Sequence, residues 1–119
     1  MSPNKSIEVF IKVRLKGEEV FWGSGLLCLL ELVEEHHSLK KACEAMDMSY
    51  SKGHKIIKLA EKELGHPLIT SLKGGAKGGG SVLSKEGILF TNCYRKYIMV
   101  MQDLGEKEFA KCFRDYFDM

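Results

Sequence analysis

Ile7, Val9, Ile11, Val13 and Leu15 alternate with Glu8, Phe10, Lys12, Arg14 and Lys16, a period of two that predicts a half-buried strand. Gly17-Glu18-Glu19 can turn the chain, and Val20-Phe21-Trp22 can return as a short partner strand before Gly23-Ser24-Gly25 breaks the pattern. The opening unit reads as a β-hairpin. From Leu26 the period changes. Leu26, Leu27, Leu30 and Val33 fall at helical spacing with Glu31, Glu34 and Glu35 outward, up to His36-His37. Ser38 is placed to cap a short second helix with Leu39, Ala42, Cys43 and Met46 on its apolar side. Asp47-Met48 interrupts it. Ser49 caps a third helix, which turns Gly53, Ile56, Ile57, Ala60 and Leu64 inward and is stopped by Gly65 and Pro67. Two short helices joined by a tight turn form a helix-turn-helix pattern.

After Pro67, Leu68-Ile69-Thr70 and Val82-Leu83 are β-prone stretches flanking a tract from Gly74 to Gly80 that contains Lys77, which predicts a second hairpin with a glycine tip. Ser84 then caps a long helix. In it Phe90, Tyr94, Tyr97, Met101 and Leu104 repeat at alternating four and three residues, the spacing of a helical seam. Gly105 is expected to kink or end this helix, and Phe109, Cys112, Phe113 and Tyr116 to form a second apolar stripe beyond it.

Composition narrows the possibilities. With 119 residues, 45% hydrophobic and 29% charged, the chain fits one folded domain with a real core. No apolar run reaches the ~18 residues of a membrane span, and the N-terminal residues lack the pattern of a secretion signal, so a cytoplasmic location and no membrane partner are expected. Cys28, Cys43, Cys93 and Cys112 form no Cys-x-x-Cys pair, so no zinc ribbon or redox motif is expected. The net charge of +2 hides an asymmetry: between Ser38 and Lys85 nine lysines face four acids, a local +5 that leaves −3 for the rest. Such a distribution points to a localised anion-binding face.

On a wheel of ~100° per residue, Lys55, Lys58 and Lys62, with Lys52 beside them, lie roughly opposite Ile56, Ala60 and Leu64 on the third helix. A helix so divided can lie in a DNA major groove, with Ser49, Tyr50, Lys52, His54 and Lys55 leading and the lysines on phosphates. A solvated helix face is the plainer reading of the same stripe. The glycine tract can follow a sugar-phosphate backbone closely, with Lys73 and Lys77 supplying charge, or can simply be a surface loop. It is neither a Walker loop nor a dinucleotide fingerprint. The histidines, His36, His37, His54 and His66, have no metal-binding spacing and no nucleophile elbow exists, so no enzyme, cofactor or metal site is expected.

These residues resemble the DNA-binding domain of ModE-type molybdate-responsive regulators, related to the winged helix-turn-helix of LysR-type regulators. The likeness runs through Trp22-Gly23-Ser24-Gly25, Leu39 to Ala45, Met48-Ser49-Tyr50 with Lys52, and Gly65-His66-Pro67-Leu68-Ile69. It is most specific from Gly74-Gly75 through Gly78-Gly79-Gly80 to Val82-Leu83-Ser84 and Gly87. The resemblance implies an α+β, mostly helical winged helix-turn-helix with an N-terminal β-hairpin and a long C-terminal dimerisation helix. Residues 1–83 would form the DNA-binding domain and 84–119 the dimerising part. It further implies a homodimer on double-stranded DNA, with the third helix in the major groove and Lys58, Lys73 and Lys77 among the DNA-binding residues. Leu26, Leu30, Phe90, Tyr94, Tyr97, Met101 and Leu104 would join the subunits. The chain departs from the family's pattern at His37, where glycine is usual, at Gly53-His54-Lys55 and at Ser71, so no base preference carries over. Full regulators of this family carry molybdate-binding domains after the long helix, and no oxyanion site is assigned to these residues. A protein-interaction module, in which the aromatic C-terminal stripe docks a sensor partner, is the alternative.

Overall fold

A computed structural model describes residues 7–72 and 80–119. The chain is α+β and mostly helical. Its elements are β1 (Leu15–Lys16), β2 (Val20–Trp22), α1 (Ser24–His36), α2 (Leu39–Ala45), α3 (Tyr50–Leu64), β3 (Ile69–Ser71), β4 (Ser81–Leu83), α4 (Lys85–Cys112) and α5 (Arg114–Phe117). The strands form two separate antiparallel hairpins, β1 with β2 and β3 with β4. No helix among the described residues is long and apolar enough to cross a membrane.

The described residues fall into two compact units, one made of 13–72 with 80–92 and one that joins 7–12 to 93–119. In the first, α1 turns Leu26, Leu29, Leu30 and Val33 into a core shared with Leu39, Ala42 and Cys43 of α2, Ile57 and Ala60 of α3, Trp22 and Leu68. Trp22 lies against Phe90 with ring centroids 4.6 Å apart. The helix ends follow their capping residues. Ser38 Oγ accepts from the Lys41 N–H and Ser49 Oγ from the Lys52 N–H, each at 3.1 Å, so α2 and α3 start where their serines place them. Gly65 ends α3 in the left-handed region at φ 81°. Ser84 starts α4 by accepting from Gly87 N–H at 2.9 Å while its hydroxyl donates to the Pro67 carbonyl at 2.6 Å.

Two expectations are corrected. The alternating run from Ile7 yields ladder pairing only at Leu15–Lys16, because β2 supplies just three partner residues. Residues 7–12 instead belong to the second unit, where their backbone is held by a side chain of α4. Gly105 does not end the long helix, which continues to Cys112. Its missing side chain is used for packing, since a Cβ there would overlap Ile11.

Candidate nucleic-acid interface

Helix α3 is divided as its sequence requires. Gly53, Ile57 and Ala60 are buried, Ile56 and Leu64 half-buried, and Lys52, His54, Lys55, Lys58 and Lys62 exposed. Gly53 sets the approach of α2, because a Cβ at this position would overlap the Cys43 sulfur. The turn before α3 is tight: Asp47 takes a left-handed φ of 56°, and the Met48 N–H bonds back to the Cys43 carbonyl at 3.0 Å.

At the leading end, Ser49 and Tyr50 are both exposed, and the Tyr50 and His54 rings stack with centroids 5.9 Å apart and an angle of 27°. A tyrosine and a histidine one turn apart thus make a flat aromatic surface beside Lys52 and Lys55. The first turn of α3 contains no acid, so the positive end of the helix dipole adds to these lysines.

The four lysines of the stripe are not equivalent. Lys58 Nζ lies 3.2 Å from a carboxylate oxygen of Glu61, which leaves its charge largely compensated. Among the described residues, Lys52, Lys55 and Lys62 have no ion-pair partner. The uncompensated charge therefore concentrates at Lys52 and Lys55 near the leading end.

Two acids of α3 have structural duties that sequence reasoning missed. Glu61 Oε2 accepts from the Leu68 N–H at 2.7 Å, which anchors the chain leading into β3. Glu63 Oε1 accepts from the Glu18 N–H at 2.8 Å, which holds the β1–β2 turn. Glu61, three residues after Lys58, could have been recognised as its pair from spacing alone; the bonds to distant backbone had no sequence signal.

The β3–β4 hairpin pairs Ile69 with Leu83, Thr70 with Val82 and Ser71 with Ser81, so Ser71 lies in the ladder. Lys73 and Lys77 lie outside the described residues.

The residues expected between subunits fall into two groups. Leu26, Leu30 and Tyr94 are buried within the chain itself, and Phe90 and Met101 are half-buried. Tyr97 and Leu104 are exposed, with Val100 between them on the same side of α4. At the C-terminus, Phe109, Phe113 and Phe117 form a ring cluster with Phe109 and Phe113 centroids 4.6 Å apart, and Tyr116 packs edge-on against Phe117.

Among the described residues no group of three or more histidine, cysteine, aspartate or glutamate side chains is arranged to hold a metal. A surface groove lined by Ile11, Ile98, Met99, Gln102, Asp103 and Glu106 brings together neither histidine nor cysteine. Comparison with protein-family models and with curated proteins finds no match to this chain.

Proposed function

We propose that this protein is a homodimeric, cytoplasmic transcriptional regulator that reads a pseudo-palindromic site in double-stranded DNA through a winged helix-turn-helix. The observation that carries the reading is the leading end of α3, where Ser49, Tyr50, Lys52, His54 and Lys55 are exposed together while Gly53 and Ile57 pack inward. A helix presented this way suits a major groove: its first residues reach base edges and its unpaired lysines meet phosphates. Helix α2 crosses behind it in this reading, and the β3–β4 hairpin with Lys73 and Lys77 is the wing. The likeness to the reading head of ModE-type regulators supports the same assignment. No molybdate response is included in it.

The test is a titration of random-sequence duplex across salt concentrations. The logarithm of the binding constant should fall against log salt with a slope of about −0.9 for each phosphate neutralised. Reversing the charge of Lys52 and Lys55 together should flatten that slope by about two phosphates and weaken retention of duplex; an unchanged titration rules the reading out.

The clustered rings at the C-terminus favour a second reading, a module that docks a sensor protein on Phe113 and Tyr116, both exposed. In that case Phe113→Ser with Tyr116→Ser removes partner capture, and the Lys52 and Lys55 reversals leave it unchanged.

A further inference from the structure

The strongest strand pattern in the sequence forms no ladder over residues 7–12, although those residues are held ready for one. One edge of this segment is occupied. The Gln102 side-chain amide accepts from the Ile11 N–H at 3.2 Å and donates to the Val9 carbonyl at 2.6 Å, the pair of bonds that an adjacent strand's backbone would make. Backbone groups alternate in direction along an extended chain, so those of Glu8, Phe10 and Lys12 point to the opposite edge. Among the described residues the backbone groups of these three make no hydrogen bond. Their side chains share one face, on which Phe10 is 79% exposed and Lys12 Nζ lies 5.7 Å from its ring centroid.

We propose that this edge pairs antiparallel with the same edge of a second copy of the chain. The two-fold axis passes beside Phe10, which faces Phe10 of the partner subunit, while Glu8 faces Lys12 of the partner subunit and Lys12 faces Glu8 of the partner subunit. Each facing pair exchanges two backbone hydrogen bonds. Cross-strand aromatic and opposite-charge pairs are favourable neighbours on a sheet face. A parallel arrangement would set like charge beside like. The charges at Glu8 and Lys12 deter pairing with an arbitrary strand, as edge charges do, yet match this chain's own edge. The contact is isologous, so it closes on two copies. On the other face, the half-buried Val9 and Ile11 become cross-strand neighbours of Ile11 and Val9 of the partner subunit.

This inference rests on the homodimeric reading above, and its test keeps the two apart because it is made without DNA. Sedimentation equilibrium of the full chain should give a dimer. Glu8→Lys and Lys12→Glu should each weaken the dimer about tenfold, by turning two attractive cross-strand pairs into repulsive ones. The double variant Glu8→Lys/Lys12→Glu should restore it. Both residues are exposed, so the single variants should keep the circular dichroism spectrum of the parent. Single reversals without effect, a double variant that fails to recover, or a chain monomeric at every concentration would each overturn the proposal. Loss of association on Leu104→Glu with indifference to the charge reversals would also overturn it, by placing the contact on α4. A chain that dimerises through this edge and ignores duplex upholds the pairing and removes only the DNA reading.

Discussion

The carbonyl oxygen of His37 accepts a hydrogen bond from the Ser81 N–H at 2.9 Å, and this bond ties the α1–α2 turn to the loop-side end of the β3–β4 ladder. His37 ends α1 in the left-handed region at φ 55°, where its own N–H bonds to the Val33 carbonyl at 2.7 Å. Gly80, next to Ser81, lies so close to the His37 carbonyl that a Cβ would overlap it. Gly80→Ala should therefore loosen the loop-side end of the hairpin and cost about 1–3 kcal/mol of folding stability in chemical denaturation. His37→Gly should go the other way, by less than about 1 kcal/mol, because relief of the left-handed penalty is partly offset by the entropy of the unfolded chain.

A second prediction concerns the seam between α2 and α3. Gly53→Ala places a methyl group on the buried Cys43 sulfur and should destabilise the chain by about 1–3 kcal/mol. Cys43→Ala in the same chain frees that space. A double-mutant cycle should show the pair more stable than the sum of the singles predicts, and strict additivity would mean that the helices part elsewhere.

The stripe of α3 should behave unevenly in DNA binding. Lys58→Ala removes a charge already held by Glu61, while Lys52→Ala and Lys55→Ala remove uncompensated ones. In duplex titrations at fixed salt, the Lys52 and Lys55 variants should each lose more affinity than Lys58→Ala and reduce the salt slope by about one phosphate. Equal losses at all three positions would show that the Lys58–Glu61 pair opens on binding.

Thiol chemistry and pH supply a further check. Cys28, Cys93 and Cys112 are exposed and Cys43 is buried, so alkylation of the folded chain should modify three thiols and spare Cys43. Burial, with the neighbouring Glu44 carboxylate adding to it, raises the Cys43 thiol above its ordinary value. Burial raises Tyr94 likewise. In both cases the folded state favours the neutral form. Below the unfolded-state pKa both states hold the proton and the contribution is complete; as pH rises past it the unfolded chain ionises first and stability declines. Denaturation midpoints should therefore fall on the alkaline side of the ordinary thiol range. Cys43→Ala should remove the lower-pH part of that decline.

Capping residues made the helices legible in the sequence. Ser38, Ser49, Ser84 and Gly65 bound their helices as their chemistry requires, and the three-and-four spacing of Ile56, Ile57 and Ala60 gave the packed side of α3. Ile7 to Arg14 misled, because alternation reports that a segment is extended and two-faced but not that a partner strand is available to it. Gly105 misled for the complementary reason. A glycine in a helix interior has a helix-weakening propensity, yet here it admits Ile11 against the helix, and propensity carries no knowledge of that neighbour. At the candidate site, the lysine face was visible in the sequence, whereas its division into compensated Lys58 and uncompensated Lys52 and Lys55 depends on which rotamer Glu61 adopts while serving Leu68.

Both anchoring carboxylates of α3, Glu61 and Glu63, sit in its last two turns, and among the described residues the Tyr50 and His54 side chains make no hydrogen bond or ion pair to the rest of the fold. Hydrogen bonds thus hold the trailing end of the helix, while at the leading end Gly53 packs on α2 and the outer positions stay open to solvent. Amino acids at 50, 51, 54 and 55 can be exchanged with little penalty to folding, which makes this end an evolvable cassette. A saturation library at those four positions should be rich in well-folded members.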